Sequence, residues 1–247
     1  MRPASLLLSS LAFAALARPV AALADVLPKD PVAGEPVLLS YVLCRGSSPT
    51  GIGPATVRLD GSTITLTALV QGSDFSTPSC AYTNAVVTGL AAGSYDAVFI
   101  PAAGSIVPAG NYPVASFVVS RPQGDGHPAM NGLSGNWFDP AHPGSGTNVV
   151  QGDSGALFGA WLTYDTFNSA PAWYVMPAGT WVTPTRFRGI LYTTTGTPAD
   201  LAWKGSDLQV APFGVLTLDF TSASGATFEA QTSTGADITQ AVRRFRF

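Results

Sequence analysis

With 247 residues, 46% of them hydrophobic and only 11% charged, the chain has the composition of a folded, apolar-rich protein, which excludes a disordered polyelectrolyte. Twelve Lys and Arg against 15 Asp and Glu give a net charge of −3, which excludes a basic nucleic-acid binder. Abundant Gly (26) and Pro (20) beside so few charges exclude long charged helices.

The first segment reads as a secretory leader. Met1 and Arg2 precede an apolar run from Leu6 to Ala17, and Ala22-Leu23-Ala24 has the form of an A-x-A cleavage site, so residues 1–24 are expected to be removed before Asp25. The run is well short of the roughly 20 residues of a membrane-spanning helix, so no transmembrane anchor is expected after cleavage. Removal takes away Arg2 and Arg18 and no acid, moving the net charge from −3 to −5. The expected address is outside the cytoplasm, periplasmic or secreted. Nucleic acid is not an expected partner for an acidic exported protein.

Residues 25–121 alternate short β-patterned runs with turn clusters. The runs are Val37 to Leu43, Ala55 to Leu59, Thr63 to Leu69, Ala85 to Leu90, Tyr95 to Ile100 and Val114 to Val119. Their spacing predicts an antiparallel sandwich. Asp60-Gly61 and the Pro108 to Pro113 stretch supply turn chemistry between them. Cys44 and Cys80 fall in separate parts of this segment, and in an oxidising compartment they are expected to form one disulfide linking sheets or loops. They lack the C-x-x-C spacing of a redox enzyme, and no neighbouring His or Cys completes a zinc site. The stretch LAAGSYDAVF at 90–99 resembles the L-x-x-G-x-Y corner of immunoglobulin-like exported domains.

Residues 122–131, rich in Gly and Pro and without alternation, read as a linker. All five tryptophans follow it, which marks a second domain over 132–247. Eight candidate strands are counted there: Gly135 to Phe138, Gly146 to Gln151, Ala156 to Asp165, Ala172 to Met176, Phe187 to Thr194, Val215 to Phe220, Ala226 to Thr232 and Ile238 to Phe247. Eight short antiparallel strands predict an up-and-down barrel, whose closure removes exposed edges. The fold class is thus all-β, an immunoglobulin-like sandwich followed by a small antiparallel barrel. On the Ala156 run, Leu157 and Trp161 share one face while Phe158, Leu162 and Tyr164 share the other. One face fills the barrel, and the other needs a cover or a ligand.

The motifs GNWFDPAHPGSG at 135–146, WLTYD at 161–165 and PAW at 171–173 resemble a module of exported proteobacterial proteins with a G-x-W-x-x-P-x-x-x-G-x-G opening, a W-x-T-Y-D strand end and a following P-x-W. The resemblance covers roughly 131–247 and implies no particular reaction. Physically, Gly144 and Gly146 are expected to free the turn after the first strand, Asp165 to close the loop that follows it, and Trp161 and Trp173 to meet across the hairpin.

Candidate chemistry is sparse. GDSG at 152–155 spells the surroundings of a serine-protease nucleophile, yet His127 and His142, the two histidines, both lie just upstream beside proline, so hairpin-loop chemistry is the better reading. Asp139, His142 and Ser145 supply the residue types of a hydrolytic triad within one loop, an alternative that would make the protein an envelope hydrolase. Asp125 with His127 is at most half a metal site, so no metal and no cofactor is expected. The aromatic set stands out, with candidate binding residues Trp137, Trp161, Trp173, Tyr174, Trp181 and Trp203. The leading expectation is therefore an exported, non-enzymatic binding protein whose ligand is a glycan, a peptide or a small apolar molecule. A further alternative is a lipocalin-like carrier with an internal cavity.

Overall fold

The computed structural model describes residues 25–45, 49–72, 79–165 and 169–246. The expected leader, residues 1–24, lies outside them. Nine strands make the first unit: β1 (Asp25–Leu27), β2 (Val37–Arg45), β3 (Pro49–Ile52), β4 (Thr56–Asp60), β5 (Thr63–Ala68), β6 (Val70–Gly72), β7 (Ser79–Val87), β8 (Gly93–Pro101) and β9 (Tyr112–Val119). One sheet runs β1-β2-β7 and the other β4-β5-β8-β9, with β3 and β6 as a separate ribbon. Alternation does the sorting. Val37, Leu39 and Tyr41 from one sheet meet Ile64, Leu66, Ala97 and Phe99 from the other in a shared core, where the Tyr41 and Phe99 rings stack at 4.2 Å.

This is the expected sandwich, with two differences. β5 and β8 run parallel, because the β4–β5 hairpin turns its second strand, rather than its first, toward β8. Cys44 and Cys80 do form a disulfide, but they face each other on neighbouring strands of one sheet, β2 and β7, rather than linking two sheets. The corner at 90–99 is built as expected: the buried Tyr95 donates its hydroxyl to the Ala91 carbonyl at 3.1 Å.

Nine strands follow: β10 (Gly135–Phe138), β11 (Gly146–Gln151), β12 (Leu157–Tyr164), β13 (Pro171–Met176), β14 (Thr180–Trp181), β15 (Arg186–Thr195), β16 (Gln209–Ser222), β17 (Gly225–Thr232) and β18 (Asp237–Arg244). All of them pair antiparallel. Neighbours in sequence are neighbours in space, β10 pairs with β18, and β13 pairs with β15 through Val175 and Tyr192, so eight strands close into a barrel. The two-residue β14 lies outside the ring, beside β15. Inward residues fill the interior: Trp137, Trp161, Met176, Phe187, Leu216, Phe220 and Phe228 are all buried together. Each such side chain contributes about 2–3 kcal/mol by leaving water. The Tyr174 and Phe213 rings stack at 4.2 Å. A cavity of about 180 Å³ lies between Tyr174, Phe213, Thr232 and Ile238.

Residues 121–134 are irregular but held against the barrel. Leu133 is fully buried, the Gln151 side chain bonds the Leu133 amide and the Met130 carbonyl, and the Ala129 amide donates to Pro184 O. The sandwich also packs directly on the barrel. Leu27 and Leu38 meet Ile190 and Val215 in a small apolar cluster. Beside it, Arg188 of β15 sits only 4% exposed and donates to Glu35 Oε1 at 3.0 Å, to Asp30 Oδ1 at 3.0 Å and to Thr217 Oγ1 at 3.2 Å. Burial pushes the Glu35 carboxyl above its ordinary pKa, against the pull of the Arg188 guanidinium. Asn84 adds hydrogen bonds from its amide to Pro212 O and Ser233 Oγ.

Candidate functional site

The sandwich covers β15 to β17, leaving the other half of the barrel wall, β10 to β13, open. Period-two alternation decides what that wall displays. Trp161 points inward from β12, so Phe158, Leu162 and Tyr164 point outward; Tyr174 points inward from β13, so Trp173 points outward. Trp173 is 56% exposed and Leu162 is 52% exposed. Register aligns them: Gly146 of β11 lies opposite Leu162, and Leu162 opposite Trp173. On the next strand but one, Phe138 of β10 lies opposite Arg243 of β18, whose guanidinium sits 5.2 Å over the Phe138 ring. A Cβ on Gly146 would fall 2.7 Å from the Trp137 carbonyl and 3.5 Å from the Phe138 Cβ. One row therefore crosses five strands, from Arg243 through Phe138, the bare Gly146 and Leu162 to Trp173. Val150 and Phe158 lie opposite each other farther along the wall, both exposed.

The six aromatic candidates divide cleanly. Trp137, Trp161, Tyr174 and Trp181 are buried in the barrel, where Trp137 and Trp181 also satisfy their indole N–H groups on the Leu133 and Gly155 carbonyls. They serve the core, and burial raises the Tyr174 hydroxyl pKa with help from the nearby Asp165 carboxylate. Trp173 and Trp203 alone face solvent, the latter on the loop between β15 and β16. The expected Trp161–Trp173 pair is not formed, because Trp161 lies opposite Tyr174 and the two tryptophans project to opposite faces. The filled interior leaves the carrier reading only the space of about 180 Å³ beside Tyr174 and Phe213, below the roughly 300 Å³ at which ligand pockets begin.

The hydrolase loop does not assemble. His142 Nδ1 and Asp139 Oδ2 lie 2.7 Å apart, but the Ser145 hydroxyl donates to the His142 carbonyl at 3.3 Å instead of meeting the imidazole. Hydrogen bonds from His142 and from the Ala141 amide hold the Asp139 carboxyl below its usual pKa, which is turn stabilisation rather than a charge relay. Gly144, at a φ of 96°, supplies the left-handed turn residue as expected, whereas Gly146 acts through the close approach to Trp137 just described. GDSG is the β11–β12 hairpin turn, closed by the Gly155 amide on the Gly152 carbonyl at 2.9 Å. Asp125 Oδ1 accepts the His127 amide, and no cluster of three metal-ligating side chains occurs among the described residues. Asp165 closes its loop through main-chain bonds with Ser169 and Ala170.

Two features of the wall escaped sequence reasoning. Val150 sits in a segment whose register is unreadable without its partner, and the place of Arg243 beside Phe138 depends on barrel closure; its lack of an acidic neighbour in sequence was the available signal. Compared with known proteins, the chain matches no family model, no curated protein and no solved structure.

Proposed function

We propose that the protein is an exported, non-enzymatic binding protein that presents the outer wall of β10 to β13 to its ligand. The observation that carries this reading is the uncovered apolar wall: Trp173, Leu162, Phe158, Tyr164 and Val150 stay exposed on one half of a barrel whose other half is shielded by the sandwich. Contiguous apolar surface of this kind marks interaction sites. The Cys44–Cys80 disulfide fits an oxidising compartment, and among the described residues no helix is long and apolar enough to cross a membrane. The Asp139, His142 and Ser145 loop gives no comparable support to a hydrolase, since its serine has no base.

The test is a binding screen of the full chain, without residues 1–24, on panels of immobilised polysaccharides and peptides, repeated with Trp173→Ala and Leu162→Ser. Any ligand found should bind at least tenfold more weakly to both variants while their thermal unfolding stays within a few degrees of the parent. A ligand bound equally well by both variants would refute the assignment of this wall.

A further inference from the structure

Resting on that reading of the wall, we infer that its ligand is an acidic polysaccharide, lying across the strands with a negatively charged group held by Arg243 and Arg246. Charge is the first observation. β10 to β13 contain no Asp, Glu, Lys or Arg, so the apolar row itself is neutral. At its β18 end this changes abruptly. Arg243, Arg244 and Arg246 border a cleft of about 530 Å³ together with Phe138, Ser224 and Phe245. Lys29, Arg58, Arg186 and Arg188 each pair with a carboxylate, whereas among the described residues these three, like the isolated Arg121 and Lys204, do not, and only these three cluster on one cleft. Arg244 is occupied by the Gly132 and Ala223 carbonyls, and Arg243 lies over Phe138. Arg243 and Arg246 thus keep guanidinium donors for an incoming anion in a protein that is otherwise acidic.

The remaining geometry selects the ligand class. Four inter-strand steps, half of the eight-strand ring, separate Arg243 from Trp173, about 19 Å along the curved wall at ordinary strand spacing, so the occupant is elongated and bends around the barrel. It crosses the strands rather than running beside one, so main-chain pairing with a strand does not contribute to its binding. Beside the row, Asn136 Oδ1 accepts from Asn148 Nδ2 at 2.8 Å, leaving the Asn136 amide hydrogens and the Asn148 oxygen to face solvent-side hydroxyls. An exposed ring, neighbouring amides and a terminal pair of cations suit a hydroxyl-rich chain bearing acidic groups: a sugar face rests on Trp173, and a carboxylate or sulfate reaches the arginines.

The experiment uses two matched pairs, polygalacturonate against its methyl ester and dextran sulfate against dextran, in affinity electrophoresis with the full chain. At least one acidic polymer should bind, its neutral counterpart at least tenfold more weakly, and Arg243→Gln/Arg246→Gln should remove that preference. Trp173→Ala should weaken binding of the acidic polymer while the preference for it remains. Equal binding of charged and neutral polymers, lost in Trp173→Ala, would overturn this inference and leave the wall reading standing. Acidic binding that ignores Trp173→Ala would overturn both. Retention of neither acidic polymer, or arginine-dependent binding only of phosphatidylglycerol vesicles or polyglutamate, would overturn the saccharide assignment.

Discussion

Replacing Arg188 by Met tests whether the sandwich and the barrel are held together as the structure shows. The guanidinium is 4% exposed and Glu35 is 1% exposed, so the substitution strands a carboxyl in the interface with its main-chain partner Val32 but without its cation. Breaking one side of a buried pair costs about 3–5 kcal/mol, whereas replacing both charges by apolar groups is often nearly neutral. Protonation of Glu35, which burial already favours, limits the loss toward the lower figure. Urea unfolding at pH 7 should therefore show Arg188→Met destabilised by about 3 kcal/mol, and the double variant Arg188→Met/Glu35→Leu should recover most of that loss. Asp30 is largely exposed and returns to water in either variant, so it contributes little to the difference. A loss below about 0.5 kcal/mol for Arg188→Met, the value typical of an exposed position, would refute the buried interface.

The same pair predicts a pH dependence. With the folded pKa of Glu35 above its ordinary 4.5, the folded state holds the proton more tightly, so stability falls as pH rises from about 4.5 through the folded value; Glu35→Gln should abolish this slope in thermal melts. Reducing the disulfide, which closes a 36-residue separation, should lower stability by no more than about 4 kcal/mol, read from urea curves with and without dithiothreitol. Trp137→Ala should destabilise by about 3–5 kcal/mol, while Trp173→Ala stays within about 0.5 kcal/mol, and acrylamide should quench the emission lost in Trp173→Ala and Trp203→Ala far more than the rest.

Much of the barrel is written locally. The run Leu157 to Tyr164 carries large residues at both parities, and this alone announces a strand with two apolar faces. What it withholds is register. Trp173 and Tyr174 are neighbours in sequence, and a slip of one residue would exchange the core ring for the surface ring. The first half of β16 is hidden for another reason: Pro212 reads as a breaker, yet the shift between Leu191 and Tyr192 lets the ladder continue past it. The opening of β7, with its Ser, Thr and Asn residues, lacks the apolar alternation that marks strands, and its pairing is supplied by β2. Arg188 and Glu35 lie 153 residues apart, so neither announces the other, and the candidate wall becomes visible only once the interface shows which half of the barrel is covered.

The seam between β10 and β18 joins the first and last strands of the ring through two residue pairs, Trp137 with Arg244 and Phe138 with Arg243. Without β18, β10 has an unpaired border, so the strands from β10 to β17 cannot complete this ring by themselves. Closure joins residues as far apart in sequence as Trp137 and Arg244, a long-range event that is slow by the rule linking rate to sequence separation.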